Sequence, residues 1–239
     1  MIKSSDSSNY VGDELELFKN ATNWKYYFSK KIGKYIQGDV LEVGSGIGIN
    51  TKYIFNASVN VTSWTLVEPD TILASQIEEN TENINLPNKK IINGTIQSVG
   101  SEKFDTIIYI DVLEHIEDSR KEIELIKAHL KSNGHAIILV PAFNFMYSAF
   151  DKQIGHYRRY DKKLLKNELN YQLPIVELFY LDSIGFFASL LNKYILKKEL
   201  PSTKNIWVWD KIMIPLSKIS DIFFLRSFGK SLIGIFKHD

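Results

Sequence analysis

A chain of 239 residues that is 44% hydrophobic, 24% charged and 13% aromatic has the composition of an ordinary globular protein, one elaborated domain in length. With 13 Gly and 6 Pro it is neither collagen-like nor of low complexity, and without cysteine it has no disulfides, thiolate metal sites or Cys nucleophile. The net charge is +1, but residues 1–150 carry 14 basic and 19 acidic side chains against 15 and 9 in the remainder. That basic excess is too small for a nucleic-acid binder, and it suits an anionic substrate or a membrane surface on the C-terminal side.

Residues 1–10 are polar and lack the apolar run of a secretory signal. The longest stretch free of Asp, Glu, Lys and Arg, 132–150, contains Asn133, Gly134, His135 and Pro141, which are costly in lipid. A cytoplasmic protein with no spanning helix is therefore expected. Residues 1–19 read as a flexible tail and 20–239 as one domain. Apolar residues recur at intervals of three and four from Trp24 to Ile36, which predicts a helix within 20–37. Short apolar runs then alternate with helical segments. Strands are predicted at 40–43, 65–67, 90–93, 105–110 and 135–140. Asp70 is placed to cap a helix over 71–80. Ser119 to Glu122 reads as a capping box opening a helix that runs to about Leu130 and is stopped by Asn133-Gly134. Farther on, 161–169 reads as a helix, 175–180 and 231–236 as strands, and 182–226 as aromatic, Lys-bearing helices.

Such alternation argues for a parallel sheet with helices on both faces, and ligands bind at the carboxyl ends of its strands. The residues after those ends carry the chemistry. Val40-Leu-Glu42-Val-Gly44-Ser45-Gly46-Ile-Gly48 is a strand running into glycines spaced two apart. Dinucleotide enzymes need the third glycine three residues after the second, where Ile49 stands here. Glu42 would repel a diphosphate and attract a cation. Glu68 ends the second strand and can accept both hydroxyls of a ribose.

E-x-G-x-G-x-G after a strand resembles motif I of the class I S-adenosylmethionine-dependent methyltransferases. The resemblance implies a doubly wound, mostly parallel seven-stranded Rossmann-like sheet with an antiparallel last strand and added C-terminal helices. It implies S-adenosylmethionine as cofactor, with Gly44, Ser45, Gly46 and Gly48 giving close backbone approach, Glu42 facing the methionine end, and Glu68 with Pro69 at the ribose. Thr95 and Ile96 stand where many members carry an acid for the adenine, and Asp111 and Val112 follow the fourth strand. Pro141 to Tyr160, with its G-H-Y-R-R-Y ending, and the final Phe228-Gly229-Lys230 resemble a bacterial subgroup of these enzymes, so the likeness spans 20–239.

The expected activity is in-line methyl transfer to a small-molecule, glycan or lipid-linked acceptor, assisted by a base. His156 is the first choice for that base and His115 the second. Arg158 and Arg159 are placed to clamp an anionic acceptor group, beside Tyr147 and Tyr157, unless an arginine pairs with Asp151 or Asp161 to fix a lid. Asp111, Glu114 and His115 form D-x-x-E-H, and a similar E-x-x-E-H motif in some methyltransferases holds a divalent metal. No further ligand cluster is evident along the chain, so no metal is expected. Residues 141–160 are read as an acceptor-side loop and 181–228 as a helical cap. Most cap aromatics are expected to pack its helices onto the sheet, and the cap's Lys residues also allow peripheral contact with a membrane. An RNA or protein methyltransferase, or a non-catalytic cofactor-binding regulator, is the alternative; no N/D-P-P-Y motif for amino-group methylation is present.

Overall fold

The computed structural model describes residues 15, 17–169, 172–196 and 202–239. Helix α1 (Thr22–Ile32) precedes strand β1 (Gly38–Val43), helix α2 (Thr51–Ala57), strand β2 (Val61–Glu68), helix α3 (Thr71–Thr81) and strand β3 (Lys90–Asn93). Strand β4 (Phe104–Ile110), helix α4 (Ser119–His129), strand β5 (Leu130–Pro141) and the short helix α5 (Ala149–Gln153) follow. The last third comprises α6 (Lys162–Leu169), β6 (Ile175–Leu181), α7 (Ser183–Leu191), α8 (Thr203–Val208), α9 (Ile214–Phe223) and β7 (Ser231–Lys237).

The strands form one seven-stranded sheet in the order β3-β2-β1-β4-β5-β7-β6. The first five are parallel, and β7 runs antiparallel between β5 and β6. The chain reverses direction across the sheet between β1 and β4, so the crevice above their carboxyl ends is where such a sheet takes a ligand. Alternation along β1 divides the core. Val40 packs with Trp24, Phe28, Trp64 and Ile77 on one face, and Leu41 and Val43 with Ile107, Ile123, Ile126 and Leu165 on the other. The Asp70 carboxylate accepts from the Ile72 and Leu73 amides and caps α3 as expected.

Several expectations need correction. Helix α4 is capped by Asp118, whose carboxylate accepts from the Lys121 amide. Glu122 instead accepts from the buried Tyr109 hydroxyl at 2.6 Å, a bond worth more than one to an exposed helix end. Asn133-Gly134 does not stop that helix. The chain passes from α4 straight into β5, and the pair forms a bulge inside the strand, where the pairing shifts from Phe104 opposite Leu130 to Thr106 opposite His135. Asn133 is left-handed (φ 65°). Residues 1–14 and 16 of the expected tail lie outside the described residues. Within the remainder of that tail, Leu17 and Phe18 pack against the core, with Phe18 edge-on to Trp209 at 5.8 Å. Most cap aromatics do not pack onto the sheet as expected: Trp209 is buried, whereas Phe187, Tyr194, Trp207, Phe223 and Phe224 stay exposed.

Candidate active site

The chain leaves β1 through three left-handed glycines, Gly44 (φ 64°), Gly46 (φ 57°) and Gly48 (φ 80°), a conformation that other residues adopt only under strain. The Gly44 and Ser45 amides donate to the Val67 carbonyl at 2.8 and 3.1 Å, which folds the bend against β2. A Cβ on Gly44 would lie 2.5 Å from Val112 Cγ2, so the backbone approaches the loop after β4 as only glycine allows. The Gly46 amide donates to Glu68 Oε2 at 2.8 Å, and the Asp70 amide to Glu68 Oε1 at 3.0 Å. Burial raises the Glu68 pKa against these two amide bonds.

This bend forms one end of a cavity of about 570 Å3. Gly44, Ser45 and Gly46 line it on one side, and Glu68, Pro69, Thr95 and Ile96 on another. The Thr95 hydroxyl is committed to capping the short 3-10 turn Ile96–Val99. Two residues of the cofactor set do not reach the wall. Gly48 packs against Thr81 and Ile77 of α3. Glu42 points to the opposite side of β1, where it accepts from Thr51 Oγ1 at 2.9 Å and Trp64 Nε1 at 3.0 Å. It does not face a ligand; the period of two along β1 turns it behind the glycine bend, where it ties β1 to α2 and β2. Burial pushes its carboxyl up to about 7, despite those two bonds.

The other end of the cavity holds titratable side chains. Asp111, in a left-handed conformation (φ 54°), and Val112 follow β4; Glu114 and His115 come next, and His156 and Arg159 close over them. His156 Nδ1 lies 3.0 Å from Asp151 Oδ1. A carboxylate only accepts, so Nδ1 is the donor in this pair, and Nε2 lies 3.9 Å from Glu114 Oε1. Arg159 grips both oxygens of the same Asp151 at 2.7 and 3.0 Å. Burial alone would raise the Asp151 pKa, but the bonds from His156 and Arg159 hold it well below the usual carboxylate range. The His115 ring stands edge-on to His156, with centroids 4.5 Å apart. Burial first, and then the neighbouring His156, lower the His115 pKa to about 4, so that ring is neutral at physiological pH.

The remaining acceptor candidates lie off the cavity wall. The Arg158 guanidinium donates to Ser119 Oγ and the Glu117 carbonyl, both at 2.6 Å, and lies 3.6 Å from Glu168. Its expected grip on an acceptor anion is thus spent on α4 and α6. Tyr147 donates its hydroxyl to the His156 carbonyl at 2.6 Å, and Tyr157 faces solvent. Both shape the loop that carries His156. Lys25, which no motif marked, lines the same cavity, as do Trp209, expected only as a cap aromatic, and Lys230, noted only within the final motif. Lys25 donates to the Phe18 and Lys19 carbonyls, and burial lowers its pKa to about 8. Burial also lowers the pKa of Lys230, whose ammonium lies 4.6 Å from the Trp209 ring centre. Of groups that could hold a metal, Glu114, His115 and His156 bring ligand atoms within 4.8 Å of one another. His156 thus stands where the sequence motif put Asp111.

The comparisons agree with this geometry. Residues 18–194 match the family model described as a methyltransferase domain. A curated relative, the ubiquinone biosynthesis O-methyltransferase of Rickettsia felis, is 30% identical over 102 residues, which are 42% of this chain and 40% of that protein. The chain thus aligns with less than half the length of that relative. The phosphoethanolamine N-methyltransferase 2 of Haemonchus contortus, solved with S-adenosyl-L-methionine, superposes with a TM-score of 0.64 at 14% identity, over 99% of this chain and 58% of that one. The N-methyltransferase NodS of Bradyrhizobium japonicum, solved with S-adenosyl-L-homocysteine, gives 0.58 at 14% identity, over 98% and 99%. With that model matched over residues 18–194, the chain belongs to the methyltransferase domain family, and its seven-stranded sheet with an antiparallel β7 has the Rossmann-like methyltransferase fold.

Proposed function

We propose that the protein methylates a hydroxyl of a small-molecule or lipid-linked acceptor, with His156 as proton acceptor. The observation that carries this reading is the Asp151–His156 pair, which opens into the cavity that the glycine bend closes at its other end. The residues fit the cofactor. A bend in which Gly44 has no room for a Cβ allows close backbone approach, and Glu68 on the cavity wall retains lone pairs for a ribose beyond its two amide bonds. In this reading Thr95 and Ile96 flank the adenine and Asp111 and Val112 the methionine end.

When bound, S-adenosylmethionine supplies an electrophilic methyl on a sulfonium. The chain's own residues position the acceptor oxygen behind that methyl and exclude water from the buried end of the cavity. With an acceptor hydroxyl held there, His156 Nε2 would take its proton. Asp151 stabilises the imidazolium through its bond to Nδ1, and Arg159 keeps Asp151 in place. His115, neutral and edge-on to His156, limits the ring's rotation. The O-methyltransferase name of the Rickettsia felis relative favours oxygen as the methylated atom.

The test follows transfer of labelled methyl to hydroxylated aromatic and sugar acceptors. With an acceptor in hand, His156→Asn lowers kcat by roughly 10²–10⁴, the usual worth of a general base, and leaves affinity for S-adenosylhomocysteine unchanged. Undiminished turnover in that variant removes His156 from the mechanism.

A further inference from the structure

We infer that the outward face of the α7–α9 cap docks on an anionic lipid surface. The inference stands apart from the acceptor assignment, because it rests on surface residues away from the cavity. Helix α9 presents its faces in reverse of the usual order. Its inward side carries Ile214, Ser217 and Asp221, all buried. Its outward side carries Leu216, Ile219, Ile222 and Phe223, with Ile219 71% and Phe223 78% exposed, and Leu225 beyond the helix 86% exposed. A helix packed on a protein core normally turns its apolar stripe inward.

Hydrogen bonds hold this orientation. Asp221 accepts from the Asp182 amide at 2.8 Å, the Ser183 amide at 2.8 Å and the Tyr27 hydroxyl at 3.0 Å. Ser217 donates to Asp182 Oδ1 at 2.7 Å. Rotating the apolar stripe inward would break all four bonds and leave the buried Asp221 carboxylate without these three donors, a loss that opposes the apolar burial gained, while Asp182 would keep its Gly185 and Trp209 donors. The apolar face is therefore fixed toward the outside.

The patch extends beyond one helix. Ring contacts run from Phe187 of α7 to Phe228 (5.4 Å), on to Phe224 (5.0 Å) and to Phe223 (5.2 Å). Exposed Leu191, Tyr194 and Ile195 continue α7. A contiguous apolar surface of this size marks an interaction site.

Its charge names the occupant. Among the described residues of 181–230, the acids are Asp182, Asp210 and Asp221, and all three are buried. Lys230 lines the cavity, but other cations stand on the outside: Lys204 is exposed on α8, and Lys218 of α9 shares the ring of exposed Tyr26 with Lys30 of α1, at 5.8 and 5.3 Å. Helix α1 contains no acid. A second copy of the chain would bring these cations against themselves, which disfavours a symmetric dimer through this face. A bilayer with anionic headgroups takes both the apolar stripe and the cationic margin, in the manner of an interfacial amphipathic helix.

The experiment is flotation of the full chain with phosphatidylglycerol–phosphatidylcholine vesicles and with pure phosphatidylcholine vesicles. Binding to the anionic vesicles is expected to weaken with added salt and to fall at least tenfold in the double variant Ile219→Glu, Phe223→Glu. Both side chains point outward, so the variant keeps native S-adenosylhomocysteine affinity, which verifies its fold. The inference is overturned if the wild type stays with the soluble fraction on anionic vesicles. It is equally overturned if light scattering finds a dimer that the double variant dissociates. In either case, intact S-adenosylhomocysteine binding leaves the methyltransferase assignment untouched.

Discussion

Thr51 and Trp64 both donate to Glu42, yet burial still raises its carboxyl to about 7, from an ordinary value near 4.5. The folded state therefore holds the proton more tightly than the unfolded chain. This contribution to stability is full below the unfolded pKa and is lost as pH rises through the folded one. The expected loss is on the order of 3 kcal/mol from about pH 4.5 to above pH 7. Glu42→Gln keeps a carbonyl oxygen for both donors and removes the titration, so urea unfolding of the variant should lose less stability over that range than wild type; parallel curves would contradict the assignment. Two residues carry the catalytic reading in different ways. Asp151 touches no reacting atom and acts by fixing the His156 ring and its tautomer. Asp151→Asn should lower kcat with little change in KM and alter the alkaline or acid limb of the kcat profile, an effect that a merely structural residue would not produce. If His156 takes the proton itself, dialysis against a chelator leaves turnover unchanged. Loss of activity that added divalent ion restores would instead assign Glu114, His115 and His156 to a metal.

The glycine bend, among elements, does what its spacing requires and something the motif does not show. Gly44 makes room for the backbone beside Val112, whereas Gly48 makes room for α3. Gly44→Ala should cut S-adenosylhomocysteine affinity sharply, because the new Cβ meets the Val112 side chain and the left-handed backbone is strained. Glu68→Ala should weaken that affinity by about 1–3 kcal/mol, the usual loss of a charged hydrogen-bonding partner, in calorimetry. Unchanged affinity would remove Glu68 from the ribose. The loop 141–160 behaves as one device. Arg159, Tyr147 and Ser148 all bond to its own residues, Arg159 and Ser148 at Asp151 and Tyr147 at His156, so the histidine is delivered by a folded loop and not by a strand end.

The sheet sets the limits of truncation at the level of the whole chain. Strand β7 lies between β5 and β6 and pairs with both. Removing 231–239 would unpair both neighbours and take Leu232, Ile233, Ile235 and Phe236, all fully buried, out of the core. Such a chain should lose its cooperative unfolding transition, as followed by circular dichroism. The final strand, expected at 231–236, is thus integral to the central sheet.

Much of this architecture was legible in residue order, because its signals are local. Alternating apolar runs mark strands, Asp70 marks a helix start, and glycines two apart with an acid at the next strand end mark the cofactor bend. Strand β3 was expected at 90–93 and forms there. Tertiary structure decided what depends on direction and on residues far apart. Glu42 and the glycines are neighbours in sequence, but the alternation of β1 turns the carboxylate away from the cavity wall. Arg158 and Arg159 are adjacent, yet one binds α4 and α6 and the other holds Asp151 beside His156. Sequence patterning also placed apolar residues in the cap without saying which way they face. Two buried aspartates, Asp182 and Asp221, decided that, because a buried carboxylate must keep its donors even when this leaves Phe223 in the open.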